Sequence, residues 1–201
     1  MTFGAPGKEG ARVHDLKDVE AILDAFQQHG HTEIDTARVY SGGTCEEYLG
    51  KIDWEGRGLQ METKLYPVPQ KSVLFNDFIN HTPESMRRHL DDSLKALNTD
   101  TLEMWYLHGP DRSTPYEVTL KAVNEFYKEG KFKRFGISNY MSYVFSSRFL
   151  AVAEGVGNAV IRPAGKWPKW FRSAARTGIS SRRSTKASIM QSTGKYLRRM
   201  I

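Results

Sequence analysis

The sequence predicts an α/β fold of parallel strands, each followed by a covering helix. Two observations carry this. From the start of the chain to Tyr140, short apolar runs alternate with stretches of helical spacing. One helix-like segment separates each strand-like run from the next, which is the connection that parallel strands require.

Taken in order, "DLKDVEAILDAFQQHG" sets Leu16, Val19, Ile22, Leu23 and Phe26 at helical spacing, with Asp15 suited to cap its start and Gly30 to lie just past its end. "TEIDTA" reads as a short strand, "TCEEYLGK" as a brief helix and "LQMETKLY" as an alternating strand. "TPESMRRHLDDSLKALN" starts with Thr82 as N-cap and Pro83 at the first helical position, and its apolar stripe is Met86, Leu90, Leu94 and Leu97. "TLEMWYLH" follows as a strand. In "TPYEVTLKAVNEFYKEG", Thr114 and Glu117 have capping-box spacing, Val118, Ala122, Val123 and Phe126 point inward, and Gly130 ends the helix. "KFKRFGISN" is the next strand.

The readable strands lie at about 32–36, 59–65, 101–107 and 132–138, with "MTFG" as the tail end of a fifth at the start. This pattern fits either a doubly wound sheet or the first part of a (β/α)8 barrel. No glycine-rich G-x-G-x-x-G turn follows the early strands, which weakens a dinucleotide-binding doubly wound sheet. Past Tyr140 the pattern degrades; "MSYVFSSRFLAVAEGVGNAV" holds at most one helix.

A chain of 201 residues can bury one core of useful size. It is 39% hydrophobic and 26% charged, and no apolar run reaches the roughly 18 residues of a membrane span. The opening "MTFGAPGKEGARVHD" lacks the apolar core of a signal peptide, so a cytoplasmic chain with no membrane partner is expected. Cys45 is alone, which excludes an intrachain disulfide and a cysteine-based zinc site.

The net charge of +6 hides an asymmetry: Gly155–Ile201 carries eleven Lys and Arg and no acidic residue, while the first 154 residues hold 18 basic and 23 acidic ones. The basic character therefore belongs to the tail and does not mark the body as a nucleic-acid binder. Residues 1–150 are read as a partial barrel, and 151–201 as a basic, largely irregular tail of low order. Trp167, Trp170 and Phe171 lie among its basic residues and offer stacking to bases. Compositional bias makes such patches easily, so a nucleic-acid or acidic-surface binder ranks last.

In parallel α/β proteins, side chains that do chemistry collect at the carboxyl ends of strands. Here those ends give Asp35, Lys64, His108, and the pair Ser138 and Asn139, with Tyr40 in the loop after the first. Each alone is a weak signal; a lone strand-end lysine is more often solvated. Together they place a carboxylate, an ammonium, a phenol and an imidazole on one rim. An ammonium beside a phenol stabilises the phenolate, and a carboxylate keeps the ammonium charged and in place. An imidazole at the same point can orient a carbonyl oxygen. The set suits proton delivery to a carbonyl that takes a hydride from elsewhere. Since the sequence has no metal-binding cluster, a nicotinamide is the expected source.

The same positions carry a resemblance. "GHTEIDTARVYSGGTCEEYLG" resembles the aldo-keto reductase signature G-x-x-x-x-D-T-A-x-x-Y with a Glu and a Gly downstream. "METKLYP" resembles the lysine strand of that family, "LHGPD" its histidine strand, and "GKFKRFGISNY" its G-K-x-x-x-x-G-x-S-N-[FY] segment. The opening "MTFG" resembles the aflatoxin-aldehyde reductase branch in particular. Four ordered motifs cover about residues 1 to 140.

The resemblance implies a (β/α)8 TIM barrel that uses NADPH to reduce aldehydes and ketones to alcohols. By the same resemblance Tyr40 donates the proton, Lys64 eases its release and Asp35 anchors Lys64. His108 holds the substrate carbonyl, Ser138 and Asn139 bind the nicotinamide carboxamide, and Asp35 also lies beside the cofactor ribose.

The sequence departs from the family after Tyr140. Eight strand–helix units need about 250 residues, and here at most five strands are readable. The Gln of the sixth strand and the stacking aromatic of the seventh have no counterpart, nor has the basic, serine-bearing segment for the 2′-phosphate. The expectation is an incomplete barrel of four to five strands, truncated or frame-shifted after about residue 150. Its open edges would favour homo-oligomer formation or pairing with a full-length homologue. The alternative is a non-catalytic remnant of such a reductase.

Overall fold

The computed structural model describes residues 2–68, 78–140 and 159–161. All of them belong to the first of two compact units, residues 1–166 and 167–201. Five parallel strands form one sheet: β1 (Glu33–Asp35), β2 (Gln60–Leu65), β3 (Leu102–Leu107), β4 (Phe132–Ile137) and β5 (Ala159–Ile161). Among them run four helices: α1 (Leu16–Gln28), α2 (Thr44–Gly50), α3 (Pro83–Leu97) and α4 (Tyr116–Lys128). None of the described helices is long and apolar enough to cross a membrane.

The strand order is β1-β2-β3-β4-β5. A doubly wound sheet reverses direction at a switch point; this one adds every strand on the same side, as an arc of a barrel does. That resolves the choice the sequence left open, in favour of an incomplete (β/α)8 barrel with five parallel strands.

The pleat separates two faces. Met61, Thr63 and Leu65 of β2, Trp105 and Leu107 of β3, and Phe135 and Ile137 of β4 lie on the face that the helices cover, and all are buried. Trp105 is the centre of this core, with ring centroids 6.1 Å from Phe126 of α4, 5.4 Å from Phe132 and 6.4 Å from Phe135. The opposite face carries Asp35, Glu62, Lys64, Tyr106, Arg134 and Gly136, with Asp35 level with Glu62, Lys64 with Tyr106, and Tyr106 with Gly136. This face is largely polar, with the buried Met104 between Glu62 and Arg134, and the rim residues stand at its carboxyl end.

The helix signals act largely as read. Asp15 accepts from the Lys17 amide at 2.8 Å, and Thr82 accepts from Ser85 at 3.4 Å with Pro83 opening α3. The whole stripe Met86, Leu90, Leu94 and Leu97 is buried. α2 lies so close on α3 that a Cβ on Gly50 would stand 2.0 Å from the Ala96 carbonyl oxygen.

Three expectations need correction. Thr114 does not cap α4: the cap position is Pro115, and the Thr114 hydroxyl donates to Asp111 at 2.6 Å instead. Ile22 and Val118 are exposed, because each helix buries a stripe narrower than its apolar spacing offers. "MTFG" adds no strand to the sheet; Phe3 bridges only Val13, and the fifth strand is β5, at the other end. The helix expected near 141–160 and the irregular basic tail lie outside the described residues, apart from β5.

Candidate active site

The chain leaving β1 is pinned to β2 beyond the strand itself, as the amides of Thr36 and Arg38 donate to the carbonyls of Glu62 and Lys64 at 2.9 and 3.2 Å. Ala37 is buried, and the Tyr40 amide donates back to its carbonyl at 2.9 Å. Tyr40 thus opens the short 3-10 turn Tyr40–Gly43, in which the buried Ser41 holds a left-handed φ of 51°. The Arg38 side chain turns under the loop to Glu46 of α2 at 3.1 Å, and Thr63 of β2 donates to the same carboxylate at 2.6 Å. Glu46 is wholly buried, which pushes its carboxyl up, while the Thr63 hydroxyl and Arg38 pull it down.

Lys64 is the centre of the rim and only 7% exposed. Its Nζ donates to Asp35 Oδ1 in a short contact, to the Thr36 carbonyl at 2.8 Å and to Tyr40 Oη at 3.5 Å. The same ammonium stands 5.1 Å from the Tyr40 ring centroid and 5.9 Å from that of Tyr106.

His108 closes the group at the end of β3, its amide donating to the Leu65 carbonyl at 2.8 Å. Its ring meets Tyr40 edge-on at 5.8 Å and Tyr66 edge-on at 5.4 Å. Burial, helped by the Lys64 ammonium and opposed by Asp35, lowers its pKa to about 4, so the imidazole is neutral near pH 7. At the end of β4 the Ser138 amide donates to the Leu107 carbonyl at 2.9 Å. Asn139, with a left-handed φ of 60°, donates its side-chain amide to the His108 carbonyl at 2.7 Å and to Ser138 Oγ at 3.2 Å.

The structure therefore links Asp35 to Lys64, Lys64 to Tyr40 and Tyr40 to His108 in one chain of contacts. It places Ser138 and Asn139 beside the His108 backbone rather than in the lysine cluster. Arg38, Tyr66 and Tyr106 were not singled out from the sequence, and Glu46 only as part of a motif, without a role. Tyr66 and Tyr106 each stand two positions from a rim residue, a spacing that keeps a strand side chain on the same face. Chemically, the cluster offers a phenol whose phenolate an anchored ammonium would stabilise, facing a neutral imidazole.

The model of the Aldo/keto reductase family matches residues 1–146. "Aldo-keto reductase pigE" of Monascus ruber is 49% identical over 143 residues, covering 70% of this chain and 42% of its own. "Aflatoxin B1 aldehyde reductase member 4" of Homo sapiens is 39% identical over 137 residues, covering 67% and 40%. Among solved structures, the glycerol dehydrogenase from Gluconobacter oxydans has a TM-score of 0.57 at 27% identity, covering 74% of this chain and 44% of its own. An aldo/keto reductase from Klebsiella pneumoniae, in complex with NADP and acetate, has a TM-score of 0.53 at 28% identity over the same shares.

The chain belongs to the aldo/keto reductase family. It spans about two-fifths of the length of the curated relatives it matches.

Proposed function

We propose that this chain carries the acid–base half of an NADPH-dependent carbonyl reductase, which converts an aldehyde or ketone to the alcohol. The observation that carries the proposal is the position of Lys64 Nζ, within reach of Asp35, the Thr36 carbonyl and Tyr40 Oη at once. Relatives support the reading: a Klebsiella pneumoniae aldo/keto reductase is solved with NADP, and several curated relatives are named aflatoxin B1 aldehyde reductases.

The residues present fit the nicotinamide end of the cofactor. Ser138 and Asn139 set a hydroxyl and an amide on the accessible end of β4, the donor and acceptor that a carboxamide needs. NADPH, when bound, supplies a hydride to the carbonyl carbon. The chain's own part is the proton. His108, neutral near pH 7, orients the carbonyl oxygen, and Tyr40 gives that oxygen its hydroxyl proton. Lys64 steadies the phenolate left behind, and Asp35 keeps Lys64 charged and in place.

Within this reading the partial barrel runs past residue 150 to include β5, and the basic tail follows it. The setting is cytoplasmic, and the open sheet invites homo-oligomer formation or pairing with a longer homologue. The test is a fluorescence titration of the purified chain with NADPH, followed by NADPH loss against a panel of aldehydes and ketones. Saturable binding with carbonyl-dependent oxidation is expected; no binding removes the reading.

A further inference from the structure

Lys64 stands between two aromatic rings, and only one of them belongs to the proposed chemistry. Tyr106 lies level with Lys64 on the neighbouring strand and on the same face, its ring centroid 5.9 Å from Nζ. Tyr106 as a whole is only 5% exposed, and a cation over a desolvated ring is held more firmly than one over a wet ring. Asp35, by contrast, has 58% of its side chain exposed, so water screens its pull on the ammonium.

Two features fix the Tyr106 ring. On the next strand lies Gly136, where an added Cβ would stand 2.5 and 2.6 Å from Tyr106 Cδ1 and Cε1, so the ring rests on bare backbone. At the other end the Tyr106 hydroxyl donates to Glu62 Oε2 at 2.8 Å, and Arg134 pairs with Glu62 at 3.3 Å. The row thus runs from the half-buried Arg134 through the buried Glu62 and Tyr106 to Lys64.

We propose that Tyr106 is a positioning residue for Lys64: its ring, laid on Gly136 and tethered to Glu62, is the floor that keeps the ammonium against Tyr40. This rests on the reading of Tyr40 as the proton donor that Lys64 assists. A core aromatic of purely structural use would alter stability and leave the reactivity of Tyr40 alone; a floor for Lys64 alters Tyr40 specifically. The ring is the working part, so phenylalanine preserves the function and leucine does not.

Nitration by tetranitromethane, which attacks phenolate, reads this without turnover. The 201-residue chain is treated at one fixed pH, and peptide mass spectrometry follows Tyr40 against Tyr48 and Tyr127 as internal references. In Tyr106→Leu, nitration of Tyr40 should slow about fivefold or more relative to the references. In Tyr106→Phe it should stay within about twofold of the parent, on the same scale. Gly136→Ala, which displaces the ring without removing it, should slow Tyr40 in the same direction and serves if Tyr106→Leu does not fold. Lys64→Met gives the full loss.

If Lys64→Met slows Tyr40 but neither Tyr106→Leu nor Gly136→Ala does, the floor is overturned and the proton-donor reading stands. If Tyr106→Phe slows Tyr40 as much as leucine does, the ring is not the working part and the proposal is likewise overturned. If Lys64→Met leaves Tyr40 unchanged, the coupling itself is absent and both readings fall.

Discussion

Lys64 Nζ stands 3.5 Å from Tyr40 Oη while it donates to the Thr36 carbonyl at 2.8 Å and pairs with Asp35. The tyrosine is therefore the longest of the three contacts. The carboxylate and the carbonyl fix the ammonium, and the phenol stands at the edge of its reach.

Replacing Lys64 by methionine should consequently cost chemistry more than binding. Carbonyl turnover is expected to fall about a hundredfold or more, the usual scale of a lost acid–base partner. NADPH affinity, measured by fluorescence titration, should change by no more than a few-fold. Asp35 becomes unpaired in this variant, but it faces water and tolerates that.

Glu46 gives a stability test independent of activity. It is wholly buried and joins Arg38 in the loop before Tyr40 to Thr63 in β2. Glu46→Ala leaves a buried hydroxyl and a half-buried guanidinium without their acceptor, and should destabilise the fold by about 3 kcal/mol. Glu46→Gln keeps one acceptor and should cost less. Urea unfolding of the two variants checks the order.

His81 predicts a pH dependence. It is wholly buried, neither ring nitrogen has a hydrogen-bond partner among the described residues, and burial, opposed by Asp111, lowers its pKa to about 4 from 6.5. Between those values the unfolded chain binds the proton and the folded chain does not. Stability from this residue is thus intact above pH 6.5 and is lost as pH falls to about 4, by on the order of 3 kcal/mol. His108 titrates in the same window and adds to the fall. Unfolding free energies at pH 7 and 5 should differ less in His81→Leu than in the parent.

Asp111 is a knot between two rim segments. Its carboxylate accepts from the His81 amide at 2.7 Å, from the Ser113 amide and hydroxyl at 2.8 and 2.6 Å, and from Thr114 at 2.6 Å. Asp111→Ala should cost about 3 kcal/mol, whereas Thr114→Val should cost about 1 kcal/mol. If Thr114 acted as the cap of α4 instead, its loss would reduce helical circular dichroism, and the structure predicts no such reduction.

Much of this was legible in the sequence because both signals involved are local. Strand period and helix spacing appear within a dozen residues, and they locate β1 to β4 and all four helices. Asp35, Tyr40, Lys64 and His108 stood out because each follows a strand run and matches a motif. What stayed hidden needs pairing between distant strands. Tyr106 meets Glu62 across 44 positions, and Arg134 reaches Glu62 across 72. β5 is three residues long, as is β1, but no motif accompanies it. At Thr114 two local rules competed, and the carboxylate three residues earlier took the hydroxyl that a capping box would have used.

Whether Tyr40 delivers the proton is decided by Tyr40→Phe. The substitution removes only the hydroxyl and leaves the ring beside His108 and Lys64. Carbonyl turnover with NADPH, compared with the parent chain under the same conditions, should fall about a thousandfold or more, with NADPH affinity nearly unchanged. Retention of turnover in Tyr40→Phe would rule out Tyr40 as the proton donor.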